Sequence, residues 1–358
     1  MINIRKLETE LWEAADLLRV DSKVTSQEYC MPVLGLIFLR YAYSRFKYVE
    51  GEILKNRPVR GGRVAPVDAD DFKSKSAIFL PEKARYDYLL NLPDSEDMGK
   101  AINHAVELIE EQSAQLKGVL PKNYTILKNS LLRDLLRIFN NSAFNEIQDD
   151  IIGRIYEYFL NKFAPVVAAD DGVFFTPKSL VRMIVNVIEP THGTVLDPAC
   201  GSGGMFVQSM KFIEAHHGNK RDISVYGQEY TNTTYKLAKM NLAIRGIASN
   251  LGELAADTFH NDQHKDLKAD FIMANPPFNQ KSWREDNELK ADPRWYGYDV
   301  PPTSNANYGW ILNIVSKLSS NGVAGFLLAN GALSGDGTEE NIRKQLLQNH
   351  LVEAIIIL

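Results

Sequence analysis

Gly193-Thr-Val-Leu-Asp-Pro-Ala-Cys-Gly-Ser-Gly-Gly-Met-Phe206 decides the fold. A short apolar run ends in a carboxylate, turns through glycines and opens into a helical pattern predicted over Met205 to His216. Strand, glycine turn and helix form the nucleotide-binding βα unit, in which backbone lacking Cβ atoms approaches a ligand at the carboxyl end of a strand. Gly201, Ser202, Gly203 and Gly204 are the candidate turn. The dinucleotide fingerprint G-x-G-x-x-G does not fit, because its last glycine falls on Phe206, and the strand carries an extra carboxylate, Asp197. That charge repels a pyrophosphate and attracts a cationic or amine-bearing ligand such as the methionine end of S-adenosylmethionine.

Downstream, a second strand is predicted over Ile223 to Tyr226, ending at Gly227-Gln-Glu229. An acidic residue some twenty or more positions after a glycine turn is where ribose hydroxyls are held. Glu229 is therefore either a ribose ligand or a carboxylate favourable to the dipole of the helix predicted over Thr231 to Ile244. After the strand-like Leu254, Asp257 is the candidate acceptor for a cofactor adenine amino group. His260 and His264 have no third ligand at metal spacing, so no metal site is predicted.

The run Asp270-Phe-Ile-Met-Ala-Asn-Pro-Pro-Phe278 reads as a buried strand opening into a polar tip. Two prolines hold the chain extended and remove two N–H donors, which leaves carbonyl oxygens to accept from a ligand. Asn275 adds an amide oxygen, and Phe278 a flat apolar face. Asn275, Pro276, Pro277 and Phe278 thus suit a planar ring bearing an exocyclic NH2, of which adenine is one. The alternative is an ordinary Asn-Pro turn. Residues 279–306 form a long predicted loop rich in aromatic and basic residues, read as a binding loop for an unstacked strand or as a subunit contact. A helix over Asn307 to Leu318, a β-run over Gly322 to Ala329, a helix over Glu339 to Gln348 and an apolar strand over Leu351 to Leu358 follow. Ending on such a strand predicts a shortened chain or a natural continuation.

Upstream, Val173, Phe174, Phe175, Thr176, Pro177 and Lys178 lead into a helix predicted over Ser179 to Ile188. Thr176 suits the N-cap and Pro177 the first helical position. These residues form either a plain helix start or one wall of the cofactor pocket. Earlier still, helical periodicity covers Leu7 to Val20, Met31 to about Leu54, Ala101 to Leu116, Leu127 to Phe139 and Asn145 to Phe163. Thr25-Ser-Gln-Glu28 has the form of a capping box. Residues 56–100, punctuated by Pro and Gly, read as a surface excursion.

Of 358 residues, 45% are hydrophobic, enough length and apolar content for buried cores in two or three domains. No apolar run approaches the roughly 18 to 20 residues of a membrane span, and the amino terminus is no signal peptide, which predicts a cytoplasmic protein away from membranes. Cys30 and Cys200 are too few and too isolated for a disulfide framework or a cysteine zinc site. A net charge of −5 is unsuited to gripping nucleic acid unaided, so a DNA substrate calls for a partner to supply phosphate contacts.

Phe174-Phe-Thr-Pro177, Asp197-Pro-Ala-Cys-Gly-Ser-Gly-Gly204, Asn275-Pro-Pro-Phe278 and Asn305-Ala-Asn-Tyr308, in that order, give the chain its resemblance to the modification (methyltransferase) subunits of type I restriction-modification systems. These are amino-group DNA adenine methyltransferases, and the order is similar to the gamma arrangement of adenine-N6 enzymes. The resemblance implies an α/β, Rossmann-like S-adenosylmethionine-dependent methyltransferase domain over residues 146–358, a mostly parallel twisted sheet with helices on both faces, after an all-α domain over 1–145. It implies S-adenosyl-L-methionine bound by residues 173–178, Asp197, Gly201 to Gly204, Glu229 and Asp257. It also implies double-stranded DNA with a flipped adenine as substrate, and a specificity subunit, a second modification subunit and a restriction subunit as partners. Methylation of a protein glutamine or an RNA base, or an inactive cofactor-binding scaffold, are the alternatives.

Overall fold

The computed structural model describes residues 3–57, 59–60, 63–64, 67–75, 77–141, 151–171, 176–219 and 222–358. The chain divides into two compact units, Met1–Phe175 with Lys236–Ala248, and Thr176–Tyr235 with Ser249–Leu358.

The first unit is helical. Asn3 caps α1 (Ile4–Ser22) by accepting from the Lys6 N–H. Thr25 and Glu28 form the expected capping box at the start of α2 (Ser26–Asn56), each side chain accepting from the other's backbone N–H. A short hairpin, β1 (Val59–Arg60) and β2 (Arg63–Val64), precedes α3 (Ala69–Ser74), α4 (Tyr86–Leu90), α5 (Met98–Gln112), α6 (Asn129–Phe139) and α7 (Ile151–Asp171). The core is built on Val33, Leu34, Ile37 and Phe38 of α2 and Ile155, Tyr156 and Phe159 of α7. Trp12 meets Phe159 and Phe163 edge-on at 5.3 and 5.1 Å. The span read as a surface excursion contributes to this core. Phe72 stacks on Phe46 at 4.8 Å, and the Tyr86 hydroxyl donates to the Leu136 carbonyl at 2.9 Å. Single aromatics far apart in sequence leave no periodic trace, which is why pattern alone missed them.

The second unit carries a five-stranded parallel sheet. Its elements are α8 (Lys178–Ile188), β3 (Gly193–Asp197), α9 (Gly204–Ala215), β4 (Ile223–Gly227), the start of α10 (Asn232–Ile244), β5 (Ser249–Asn250), β6 (Ala269–Ala274), α11 (Asn307–Lys317), β7 (Leu318–Phe326) and α12 (Thr338–Gln348). The strand order is β5-β4-β3-β6-β7. The chain runs outward from β3 to β5 and then crosses back to β6, so the order reverses at the centre, where open α/β sheets bind ligands. Asp197 pairs with Gly227 and Leu196 with Ile272, so the turns after β3, β4 and β6 open on one edge.

Side chains alternate across the sheet as strand geometry requires. Leu196, Ile272 and Ala274 pack with Ile314 of α11, while Met273, on the other face, accepts from the Ser209 hydroxyl of α9 at 3.6 Å. At the amino edge Asp270 accepts from the Thr194 N–H at 2.8 Å and the Ser319 hydroxyl at 3.1 Å, tying three strands together. Gly193, at φ +76°, is required there, since a Cβ would lie 2.2 Å from the Asp270 carboxylate.

Further details differ from the sequence reading, among them β7, which is Leu318–Phe326 where a β-run over Gly322 to Ala329 is predicted. The third strand is Ser249–Asn250, ahead of Leu254. Lys236 to Ile244 of α10 belong to the first unit, with Leu237, Met240 and Ile244 in its core. Leu351 to Leu358 have no regular structure and are exposed, Ile357 by 74%, because no neighbouring strand pairs with them.

Candidate active site

The turn after β3 is held by its neighbours. Gln228 donates its N–H to the Asp197 carbonyl at 3.1 Å, and its own carbonyl accepts from the Cys200 N–H at 2.9 Å. Gly201 and Gly203 take φ of +53° and +79°, the left-handed region that glycine enters without strain. A Cβ on Gly201 or Gly204 would meet no protein atom within 4 Å, so protein packing does not demand their bareness. That open space is what a closely approaching ligand needs.

Two carboxylates lie beside it. Asp197 is 1% exposed and accepts from the Ala199 N–H at 3.0 Å. Burial pushes its carboxyl up to about 8, the Ala199 N–H offsets part of the rise, and the charge of Glu229 adds to it. Glu229 is also raised by burial, against the hydrogen bonds it accepts. Its Oε2 accepts from the Gly201 N–H at 3.0 Å, and its Oε1 from the Thr231 N–H and hydroxyl at 2.9 and 3.0 Å. Of the two sequence readings of Glu229, these bonds bear on the one that placed a carboxylate at the start of α10, and the side chain ties that helix start to the glycine turn. Cys200, buried with its thiol pushed well up, is no thiolate nucleophile.

At the end of β6, Pro276 is buried, Pro277 exposed, and Phe278 exposed by 47%, which leaves an aromatic face uncovered. The Asn275 Nδ2 donates to Thr176 Oγ1 at 2.9 Å. Its Oδ1 is buried with no hydrogen-bond partner. Buried polar atoms are nearly always paired, so an orphaned acceptor at a strand tip is a candidate ligand contact. Thr176 is not the helix cap that its position suggested. Pro177 occupies that place and makes no side-chain cap bond, while the Thr176 hydroxyl serves Asn275 instead. Val173, Phe174 and Phe175 lie outside the described residues; Lys178 is the first residue of α8.

The turn beyond Phe278 is fixed by a reciprocal amide pair. The Asn279 N–H donates to Asn307 Oδ1 at 3.0 Å and Asn307 Nδ2 donates to Asn279 Oδ1 at 2.9 Å. Asn305 in turn accepts from the Asn307 N–H at 2.9 Å, which gives the Asn-Ala-Asn-Tyr motif a structural part. Asp257 sits one residue after Ala256, whose N–H donates to the Glu229 carbonyl at 2.8 Å. Its carboxylate accepts from the Phe259 N–H at 2.7 Å and faces His260 at 3.2 Å. His260 lies between Asp257 and Glu288, and His264 contacts the Gly227 carbonyl at 2.8 Å, so both histidines have protein partners.

Gln228 is the residue that sequence reasoning passed over. Buried, it donates to the Ala256 and Asn261 carbonyls at 3.1 and 2.9 Å and accepts from the Gln263 N–H at 3.0 Å, holding the Asp257 segment against β4. Its only signal in sequence was its place between Gly227 and Glu229.

The long segment 279–306 is packed rather than open. Trp283 and Trp295 are buried, their indole N–H groups donating to the Pro302 and Leu289 carbonyls at 2.8 and 2.7 Å. Arg294 pairs with Asp292 at 2.7 Å and donates to the Thr258 and Phe259 carbonyls at 2.9 and 2.6 Å. Of the aromatics expected to meet a nucleic-acid strand, Tyr296 is exposed, by 74%.

A parallel sheet whose three central strands end in a glycine turn, a buried carboxylate and an Asn-Pro-Pro-Phe tip defines a Rossmann-like methyltransferase. A family model of N-6 DNA Methylase matches residues 147–358, and one of the HsdM N-terminal domain matches residues 7–162. The chain belongs to the N-6 DNA Methylase family. It is 38% identical, over 98% of its length, to the type I restriction enzyme MjaIX methylase subunit of Methanocaldococcus jannaschii, and 44% identical, over 73%, to the HindI methylase subunit of Haemophilus influenzae. It spans 66% and 61% of those two proteins. The type I restriction-modification system methyltransferase subunit from Streptococcus thermophilus shares the fold, with a TM-score of 0.78 over 96% of this chain and 79% of that one at 21% identity. The family implies S-adenosyl-L-methionine, and the site fits it. Bare glycines leave room for the ligand, and the two buried carboxylates, each raised above its usual range, gain from the cationic methionine end.

Proposed function

We propose that this chain transfers a methyl group from S-adenosyl-L-methionine to N6 of adenine in DNA, as the modification subunit of a type I restriction-modification complex. The orphaned Asn275 Oδ1, with the half-exposed ring of Phe278 three residues on, carries the reading. The cofactor supplies an electrophilic methyl group. Asn275 Oδ1 and the Pro276 carbonyl would accept the two N6 hydrogens, which draws the nitrogen lone pair out of conjugation with the ring and aims it at that carbon. As the N6–carbon bond forms the methyl–sulfur bond breaks, S-adenosylhomocysteine is the leaving group, and one N6 proton is lost to solvent. Phe278 stacks on an adenine turned by roughly 180° out of the duplex. Asp197 and Glu229 would hold the cofactor's ammonium and ribose, Asp257 its adenine amino group, and Pro177 and Lys178 would wall the pocket. Because Oδ1 is shielded from solvent, the incoming base has to displace its cover.

We assign residues 1–145 to a helical amino-terminal domain and 146–358 to the catalytic domain; the N-6 DNA Methylase model, which starts at residue 147, supports this boundary, whereas α7 and the end of α10 pack in the helical unit. The net charge of −5 supports partners that supply the grip on DNA: a specificity subunit, a second modification subunit and a restriction subunit. A cytoplasmic setting accords with this. Among the described residues no helix is long and apolar enough to cross a membrane.

The test is Asn275→Ala, reconstituted with a specificity subunit and assayed for methyl incorporation into DNA. Transfer should fall by about 100-fold or more, while calorimetric binding of S-adenosylmethionine stays near the wild-type value. Full transfer by that variant would refute the assignment.

A further inference from the structure

A base amino group only donates, so the Asn275 amide has to present its oxygen and hold it at a fixed torsion while the methyl moves. An unrestrained amide rotates about a broad, roughly twofold torsion. In the structure the amide is restrained by Thr176 Oγ1, which accepts from Nδ2 at 2.9 Å across 99 residues of sequence. Thr176 is itself delivered rigidly. It precedes Pro177, whose carbonyl accepts from the Leu180 and Val181 N–H groups at 3.0 and 3.2 Å and closes the first turn of α8. The other end of the amide is unpaired and buried.

We infer that Thr176 is a positioning residue for methyl transfer, holding the Asn275 amide so that Oδ1 receives the target amino group. The inference rests on the proposed function. A hydroxyl can donate as well as accept, so Thr176 alone tolerates either amide orientation. The arriving NH2 selects the one present here, with oxygen toward the substrate and nitrogen toward Thr176. By accepting from Nδ2 the hydroxyl also polarises the amide and strengthens Oδ1 as an acceptor. This role differs from that of a cofactor-wall residue, and the two separate kinetically.

Thr176→Val keeps the shape and removes the acceptor, whereas Thr176→Ser keeps the acceptor. In the complex with a specificity subunit, at saturating S-adenosylmethionine, Thr176→Val should slow single-turnover methylation by about 10- to 100-fold. The dissociation constant for the cofactor should stay within about twofold, and Thr176→Ser should recover most of the rate. A weaker cofactor affinity with an unchanged saturated rate would overturn the inference and return Thr176 to the cofactor wall. A second readout needs no turnover. In the full chain labelled with 15N-asparagine, the Asn275 side-chain amide resonance, identified by its loss in Asn275→Asp, should shift in Thr176→Val and hold in Thr176→Ser. An unmoved resonance in Thr176→Val overturns the inference too. If the wild-type complex transfers no methyl to adenine, the proposed function fails on its own, while the resonance still decides whether the hydroxyl holds the amide.

Discussion

Asp197 combines nearly complete burial with a carboxyl pushed up to about 8, so in the folded chain it favours its protonated form. Its contribution to stability is fully present below the unfolded value near 4 and is lost as pH rises through about 8. Asp197→Asn keeps the acceptor for the Ala199 N–H and removes the titration. The melting temperature of this variant should therefore rise relative to wild type between pH 5 and pH 9, as read by thermal unfolding without ligand; parallel curves would show that Asp197 does not titrate in that window. A cationic ligand favours the ionised form. Binding of S-adenosylmethionine to the wild type should thus release protons near pH 7 and tighten as pH rises toward 8, measured by calorimetry in buffers of different ionisation enthalpy.

Elements place these residues, and two of them can be tested separately from the chemistry. The turn between β3 and α9 holds Gly201 in the left-handed region with empty space where a side chain would point. Gly201→Ala should cost only about 1 kcal/mol of stability, yet weaken cofactor binding sharply, because the added methyl occupies the ligand's space. Equal losses of fold and binding would mean that the turn itself had collapsed. The segment 279–306 hangs on Arg294, which joins Asp292 to the backbone of Thr258 and Phe259 beside Asp257. Arg294→Ala leaves the half-buried Asp292 carboxylate and the Thr258 and Phe259 carbonyls without their donor and should destabilise the chain by about 1 to 2 kcal/mol, seen as a lower denaturant midpoint. This packing was not legible in advance. The indoles of Trp283 and Trp295 resemble nucleic-acid contacts in sequence, and only their buried carbonyl partners show otherwise.

For the whole molecule, charge sets the next expectation. With 45 acidic against 40 basic side chains, the chain alone should bind duplex DNA no more tightly than nonspecific proteins do, at roughly 10 to 100 μM in physiological salt. Adding a specificity subunit should tighten binding by orders of magnitude in a fluorescence titration, and tight binding without it would remove the argument for partners. The sequence by itself determined the order strand, glycine turn, helix, and the carboxylate and Asn-Pro-Pro-Phe tips, because these depend on local geometry: a left-handed turn needs glycine, and a proline pair needs an extended chain. The capping box of α2 was legible for the same reason. Tertiary structure alone decided that Thr176 reaches Asn275, that Gln228 holds the Asp257 segment, that the end of α10 packs in the first unit, and that burial lifts Asp197. Each of these depends on groups far apart in sequence being brought together and on water being excluded between them, and neither condition is written in the spacing of residues along the chain.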